Sequence, residues 1–472
     1  MSKFRLFVEN FLVYGFGGII SHVIPLLMLP IVTRLMPNTS YYGINDLTGT
    51  IVSIATYISI MGMYDAMYRM YFEKSDEAYK KTVCSTTFIF TLGVSAFVSA
   101  LLVLFRDRIA EMFYTDHTLA YLLFFAASAT LVGATNSIIS APTRMQNRRR
   151  VFLITNTIGP ILAYSVCIPL LLKGYYMTAL PTASLVSSAI LEIVFWKLNR
   201  EWFSLKLFDK KMLRQLLTIA IPLIPNFLIY WIFNSSDKIM ITNIIGTEQT
   251  GIYSVGAKLG HASQLIYMAF AGGWQFFAFS TMKEEQQVRN NSLIFEYLGV
   301  ISFAASAFIC AISYTFYAVV FPKAYLPGFI IAPYLFLAPL LLMLFQVIVN
   351  QFLVVKKTWP TMFILLTGAL LNVGLNLLLI PKFGIEGAAV ATLAGYILSD
   401  IVCAAVLIKM KLMILSVRFV ISSILIVGYF ILWRAFFTQN MPIGILSASV
   451  LCASFAYLYR QDIKMLLYNI KS

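Results

Sequence analysis

The sequence predicts an all-α, polytopic membrane protein with fourteen transmembrane helices. Of its residues 60% are hydrophobic and 12% are charged, whereas soluble domains contain about 25% charged residues. Hydrophobic runs of spanning length recur along the chain, and a bilayer core of about 30 Å needs roughly 20 apolar residues per helix. The runs fall near 12–33, 44–64, 83–105, 118–140, 151–172, 176–196, 215–236, 249–280, 292–320, 329–354, 360–380, 385–408, 416–437 and 441–459.

Positive charge alternates between the segments that join these runs. With the N-terminus in the cytoplasm, 26 of the 35 Lys and Arg side chains fall inside, 8 fall outside, and Lys258 lies within a span. Basic residues concentrate on the cytoplasmic side of membrane proteins, so the pattern predicts that both termini are cytoplasmic. Basic loops beside anionic headgroups also explain the net charge of +15 without a nucleic-acid partner.

A polar segment, 197–214, separates six spans from six. It mixes basic residues with Trp, Phe and Leu, so it could lie on the membrane surface or form a simple loop. The sequence therefore predicts an N-lobe (1–200), a C-lobe (201–410) that begins with this cytoplasmic connecting segment, and helices 13 and 14 with a cytoplasmic tail (411–472).

A weak internal repeat supports the two lobes. TSYYGIND (39–46) aligns with TEQTGIYS (247–254) at an offset of 208 residues, and KGYYMTALPTASL (173–185) aligns with FGIEGAAVATLAG (383–395) at an offset of 210. Six spans per copy give both copies the same orientation in the membrane. Two pseudo-symmetric six-helix lobes around a cavity suit alternating access, although such a fold alone names no substrate.

Several features argue against an enzyme. Every connection between runs is short, which leaves no room for a soluble catalytic domain. The five cysteines fall within spans and lack CxxC or CxxxH spacing, so the sequence predicts neither a disulfide nor a zinc site. No cofactor motif is present.

Ionisable residues inside spans are costly and mark candidate functional sites. Lys258 lies in an apolar span with His261 three residues later on nearly the same face, which predicts a role in lining a cavity. A cationic cavity suits a phosphate-bearing cargo, whereas hydrophobic cations would require carboxylates. The ionisable candidates within spans and near span ends are His22, Asp46, Asp65, Lys258, His261, Glu296, Asp400, Arg34, Asp237 and Lys238.

Oxygen-bearing side chains also gather in the second half. Asn372 and Asn376 lie four residues apart on one face of span 11, Thr392 lies on span 12, and Asp237 could approach from span 7. Carboxylate, amide and hydroxyl oxygens are ligands of hard cations. The same groups could instead form hydrogen bonds between helices, so spacing alone leaves both interpretations open.

At these residues the chain resembles the multidrug/oligosaccharidyl-lipid/polysaccharide (MOP) exporter superfamily, and within it the polysaccharide transporter family of O-antigen and capsule repeat-unit flippases. The resembling stretches are TRLMPNTSYYGINDL (33–47), RMQNRRRVF (144–152), NSSDKIMITNIIGTEQTGIYSVGAKL (234–259) and NVGLNLLLIPKFGIEGAAVATLAGYIL (372–398).

The resemblance implies a flippase that moves an undecaprenyl-diphosphate-linked O-antigen, capsule or exopolysaccharide unit to the outer leaflet of the bacterial plasma membrane. It implies a cationic cavity with Lys258, Arg34 and His22, which Lys238 and His261 are expected to extend. It also implies a sodium site at Asp237, Asn372, Asn376 and Thr392, although relatives have Asp at the position of Asn376. Helices 13 and 14 would border a groove for the lipid tail.

Three alternatives remain. A lipid II flippase would show more Arg in the first two helices, a cation-coupled multidrug antiporter would have twelve helices and buried carboxylates, and a glycan polymerase or ligase would need a large outer loop. Coupling by sodium or by protons stays open. Expected partners are the lipid-linked oligosaccharide, membrane lipids, and the glycan polymerase and glycosyltransferases of the same pathway.

Overall fold

A computed structural model describes residues 21–268, 270, 274, 278, 284–355 and 359–471, with only the backbone described for 466–471. Within these residues every regular element is an α-, 3-10 or π-helix, which confirms the all-α fold class. Helices are what a spanning chain requires, because lipid offers the backbone no hydrogen-bond partner.

The chain forms two compact units, Met1–Ser254 and Val255–Ser472. The predicted division into 1–200, 201–410 and 411–472 stays a prediction. The helices of the first unit, of which the last continues into the second, are α1 Ser21–Leu35, α2 Thr39–Ile60, α3 Met63–Tyr71, α4 Glu77–Leu104, α5 Arg106–Tyr114, α6 Leu122–Met145, α7 Arg149–Leu172, α8 Ala179–Asn199, α9 Lys210–Ala220, α10 Ile224–Ile245 and α11 Thr247–Gly260.

Further helices of the described residues belong to the second unit. They are α12 Gln287–Val320, α13 Ala332–Val354, α14 Trp359–Lys409, α15 Val417–Leu432, α16 Met441–Leu458 and α17 Arg460–Lys471.

Ten helices of the described residues are long and apolar enough to cross a membrane, or eleven when α2 and α3, bent by 43°, are taken as one broken span. The 51-residue α14 contains the two runs predicted at 360–380 and 385–408, which meet at Gly384. Parts of the runs predicted at 12–33 and 249–280 lie outside the described residues. The protein is thus a multi-pass membrane protein, while the count of fourteen stays a prediction.

Capping side chains determine where several helices begin. Asn38 Oδ1 accepts a hydrogen bond from the Ser40 amide at 2.9 Å at the start of α2, and Asp76 Oδ2 accepts one from the Tyr79 amide at 2.8 Å at the start of α4. Such caps satisfy backbone donors that have no partner within the helix. The helices therefore extend beyond the apolar runs, to the nearest capping residue.

In the first unit α6 packs against α4, α8 and α2. The connecting segment docks on this bundle: Trp202 and Phe203 are buried, and the Phe203 ring lies 5.4 Å from that of Phe88. The Ser85 hydroxyl donates to the Trp202 carbonyl at 3.3 Å. Part of the segment is therefore a packed connector, which differs from both a surface helix and a free loop.

In the second unit α12 packs against α13 and α16, and α13 packs against α14. Glu296 of α12 joins this bundle to the C-terminal helices. Its carboxylate accepts hydrogen bonds from the Ser416 amide at 2.9 Å and from the Ser416 hydroxyl at 2.7 Å, and it lies 3.4 Å from Arg418. Arg418 also binds Asp462 at 2.5 Å. Glu296 therefore anchors the start of α15, which is a structural role.

The internal repeat has a structural counterpart where α2 crosses α11. A Cβ built on Gly43 would lie 2.8 Å from the Gly251 amide nitrogen and would clash with the Thr247 carbonyl oxygen. A Cβ built on Gly251 would clash with the Thr39 carbonyl oxygen. Each glycine thus meets the first turn of the other helix, and the two positions are aligned in the repeat. Because glycine has no side chain, the backbones of α2 and α11 can approach each other closely at this crossing.

The second pair of aligned glycines also shares a positive φ. Gly174 follows α7 with φ of 86°, and Gly384 separates the halves of α14 with φ of 59°. Glycine adopts positive φ without steric cost, because it has no Cβ. The repeat therefore places a glycine with positive φ between corresponding spans.

The α2–α11 crossing makes a stability prediction. We expect Gly251→Ala to lower stability by about 1–3 kcal/mol, because an added methyl in a filled contact forces the helices apart. The measurement is the Tm of the detergent-solubilised protein. Gly49→Ala is the matched control, since a Cβ on Gly49 of α2 meets open space. Equal Tm values for the two variants would contradict the close crossing.

The anchor at Glu296 makes a second prediction. Glu296→Ala leaves the Ser416 amide and hydroxyl without their acceptor, and a buried donor without a partner costs about 1–3 kcal/mol. We expect a lower Tm and faster proteolysis before α15 in inside-out vesicles. Glu285→Ala, which alters an exposed acid, serves as the control. Protease resistance equal to that of the control would show that Glu296 does not hold α15.

Candidate functional site

A cavity of about 430 Å³ lined by both apolar and polar side chains lies within the first unit. Its size is within the usual range of small-molecule sites, about 300–1,000 Å³. Its walls come from α2, α3, α6, α7, α8 and α10. The lining residues are Tyr57, Ile60, Gly62, Tyr64, Asp65, Asn136, Ser137, Ser140, Thr143, Arg144, Phe152, Thr155, Asn156, Leu191, Phe195 and Phe227.

One guanidinium and one carboxylate are the only charged groups among these lining residues. The Arg144 guanidinium lies 4.6 Å from the centre of the Phe152 ring and 3.4 Å from the Tyr64 hydroxyl oxygen. These contacts hold Arg144 toward the cavity while its remaining donors stay available to a ligand. A guanidinium can bind a phosphate oxygen pair through two parallel hydrogen bonds.

Neutral polar groups and aromatic rings form most of the wall. Tyr57 and Phe227 stack with their ring centres 6.2 Å apart and 6° between planes. Amides and hydroxyls can donate to and accept from the hydroxyl groups of a sugar, and flat rings cover its apolar faces. The cavity is thus chemically suited to a glycan that carries a phosphate group.

Of these lining residues only Asp65 was among the intramembrane candidates predicted from the sequence. The overlooked signal is a polar stripe on α6: Asn136, Ser140 and Arg144 follow at intervals of four residues and so share one helix face. Uncharged polar residues in an apolar helix are a weaker sequence signal than charged residues, although together they line one wall of the cavity.

Lys238, a predicted cavity residue, forms an ion pair with Asp46. Its Nζ lies 2.7 Å from Asp46 Oδ2, and the two side chains are only 17% and 10% exposed. The pair joins α10 to α2, and at this burial each charge depends on the other. A phosphate would have to compete with Asp46 for Lys238, so its role in substrate binding stays a prediction.

The other predicted cations lie on different elements. His22 and Arg34 are exposed on α1. Lys258 is exposed on α11, on the face opposite Gly256 and Gly260, which fit closely against Ile331 and Leu335. His261 follows at the start of a short 3-10 helix. None of these four lines the cavity of the first unit, and their binding roles stay predictions.

Three of the predicted sodium ligands come together in the second unit. Asn372, Asn376 and Thr392 are at most 1% exposed. Asn372 Nδ2 donates to Thr392 Oγ1 at 3.0 Å, and Asn376 Nδ2 lies 3.5 Å from Asn372 Oδ1. These oxygens are of the type that a hard cation binds, and the same contacts also hold the two halves of α14 together.

Asp237, the fourth predicted ligand, belongs to the first unit. It is 3% exposed, and its Oδ2 accepts a hydrogen bond from the Tyr253 hydroxyl at 2.6 Å. The carboxylate is therefore already bound within its own unit, between α10 and α11. The sodium site at these four residues stays a prediction.

Comparisons with known proteins agree with this architecture. The sequence profile of the polysaccharide biosynthesis protein family matches residues 31–329. Comparison with curated proteins gives no sequence match.

Solved structures share the fold at low identity. The lipid II flippase MurJ in an inward closed conformation superposes with a TM-score of 0.70 at 16% identity, covering 96% of this chain and 100% of MurJ. An inward-facing multidrug resistance MATE family transporter of the MOP superfamily gives 0.61 at 14%, covering 86% and 94%. A mutant form of the Vibrio cholerae MATE transporter VcmN gives 0.60 at 13%, covering 87% and 98%.

The structural matches confirm the expected fold. It is a fold of transporters and flippases rather than of catalysts, because MurJ and the MATE family transporters share it. The chain therefore belongs to the polysaccharide biosynthesis protein family.

Proposed function

We propose that this protein is a flippase for an undecaprenyl-diphosphate-linked oligosaccharide, which it moves from the inner to the outer leaflet of the bacterial plasma membrane by alternating access. The observation that carries the proposal is the composition of the cavity in the first unit. Hydroxyl, amide and aromatic groups line the cavity together with one guanidinium and one carboxylate, and the guanidinium and the neutral polar groups suit a phosphate-bearing glycan.

The proposed orientation would let the cavity load from the cytoplasmic side. Arg144 lies in the last turn of α6, directly before the basic stretch 146–150. The distribution of Lys and Arg predicts that this stretch and both termini are cytoplasmic. An inner-leaflet substrate would therefore meet Arg144 early, before transfer to the predicted cations Lys258, Arg34 and His22.

Two rival substrates share part of this chemistry. Lipid II, the substrate named for MurJ, also carries a diphosphate and sugars, so only substrate competition separates the two flippase proposals. A multidrug cation suits the cavity less well, because the guanidinium opposes a positive charge and Asp65 is the one carboxylate among the lining residues.

The leaflet position of the substrate tests the function. Cells lacking this protein should accumulate labelled undecaprenyl-diphosphate oligosaccharide on the inner leaflet, and re-expression should relieve the accumulation. We expect Lys258→Ala to abolish export, because a neutral side chain cannot hold the diphosphate, and Lys258→Arg to retain part of it. Lys173→Ala, in an exposed outer connection, is the control. Full export by Lys258→Ala would remove Lys258 from the mechanism.

Arg144 is tested by binding. We expect Arg144→Ala to weaken binding of the purified protein to the lipid-linked oligosaccharide at least about tenfold, since a charge-assisted pair contributes about 1.5–3 kcal/mol. Arg144→Lys should recover only part of this affinity, because an ammonium group cannot form the bidentate pair. Arg150→Ala changes an exposed arginine in the first turn of α7 and should bind normally. Unchanged affinity in Arg144→Ala would reject the cavity as the loading site.

A further inference from the structure

Most acidic side chains in the membrane-spanning part of the described chain have a partner. Asp46 pairs with Lys238, Glu296 binds Ser416 and Arg418, and Glu192 accepts a hydrogen bond from the Thr135 hydroxyl at 2.6 Å. A carboxylate in a low-dielectric interior needs such partners to remain ionised.

Asp400 differs from these acids. It lies in the second half of α14, it is only 8% exposed, and both of its carboxylate oxygens lack a hydrogen-bond partner within the described part of the chain. Among the described residues two other acids are as deeply buried, Asp237 and Glu296, and both accept hydrogen bonds. Asp400 is therefore a buried carboxyl group that no described side chain compensates.

The surroundings of Asp400 carry no compensating charge. Along α14 its titratable neighbours are Tyr396, one turn before, and Cys403, one turn after, both neutral groups. Among the described residues the main helix packed against α14 is α13, which contains no Asp, Glu, Lys, Arg or His; its one titratable side chain, Tyr334, lies near Glu386. The guanidinium of Arg434, beyond α15, pairs with Glu386, which is fourteen residues from Asp400.

The charged residues of α14 itself are distant from Asp400. Lys409 lies nine residues away and Glu386 fourteen, or about 13 and 21 Å at 1.5 Å per residue. Lys382 is farther along the chain, in the other half of the helix. An ionised Asp400 would thus be an isolated charge among the described residues, and burial of this kind favours the neutral, protonated carboxyl group.

Asp400 also lies on the same helix as Asn372, Asn376 and Thr392, the amide and hydroxyl cluster. It is eight residues past Thr392, about 12 Å toward the predicted cytoplasmic end. The two positions offer different chemistry: amide and hydroxyl oxygens bind a metal cation, whereas a carboxyl without partners binds a proton. Each possible coupling ion thus has a candidate site in α14: the amide and hydroxyl oxygens for sodium, and Asp400 for a proton.

We propose that Asp400 is a proton-binding site through which transport is coupled to the proton gradient. A proton from the outer solution forms an O–H bond with the Asp400 carboxylate when that group is hydrated, and burial of the group retains it. When the transport cycle hydrates the group again from the cytoplasmic side, the O–H bond breaks and the proton leaves to the cytoplasm. The coupling part of this proposal rests on the flippase function, whereas the proton site itself does not.

Infrared spectroscopy tests the site without any substrate. In the wild-type protein in lipid we expect a protonated-carboxyl C=O band that diminishes as pH rises and is missing from Asp400→Asn. Glu296→Gln should leave that band in place, because its carboxylate is hydrogen bonded and paired with Arg418. A difference spectrum with no such band, or with a band that persists at every pH, would overturn the proposal, since a permanently neutral acid cannot carry protons.

Proton flux tests the coupling. In proteoliposomes with an internal pH dye, wild-type protein should acidify the lumen during substrate movement driven by an imposed gradient. Asp400→Asn should lose this proton flux while it keeps wild-type Tm and substrate binding. Glu284→Gln, which alters an exposed acid, should behave as wild type. Proton flux through Asp400→Asn equal to wild type would reject coupling at Asp400. Absence of substrate movement by the wild type would count against the flippase function alone, because the infrared band reports on the site independently.

Discussion

Every polar group in the spanning part of this protein must find its partner within the protein, because the bilayer core supplies none. The hydroxyls of Thr48, Thr87 and Ser306 each donate to the carbonyl four residues earlier, at 2.8–2.9 Å. Asn199 reaches across helices to the Ile139 carbonyl and the Thr143 hydroxyl, at 2.8 Å each. Against this background, polar groups that line a cavity, and a buried carboxyl group that has no described partner, are candidates for function.

The same constraint explains how much of the fold was predictable. Helices were predictable because hydropathy and charge report directly on the membrane. The ends of the helices were less predictable than their existence. The run predicted at 83–105 is the helix Glu77–Leu104, because Asp76 caps the helix several residues before the apolar stretch begins. The docking of Trp202 and Phe203 was not predictable, because nothing local in the connecting segment shows which of its aromatic residues meets Phe88.

The site was predictable only in part, for a related reason. Asp46 and Lys238 were each predicted as costly charges, but their pairing joins helices from distant parts of the chain and appears only in the fold. The amide and hydroxyl cluster was found because Asn372 and Asn376 lie at helical spacing and Thr392 follows a short turn. The cavity of the first unit was not predicted, because its wall is formed by mostly uncharged residues that come from six different helices.

The crossing of α2 and α11 has the form of an isologous contact, in which each partner offers the same surface to the other. Gly43 meets Thr247, and Gly251 meets Thr39, so one short sequence motif supplies both sides. Two separate copies of a half-length chain could make this contact as a homodimer without any change in its chemistry. In a single fused chain each copy can diverge at other positions. The two glycines must be kept together, because the close crossing needs both of them.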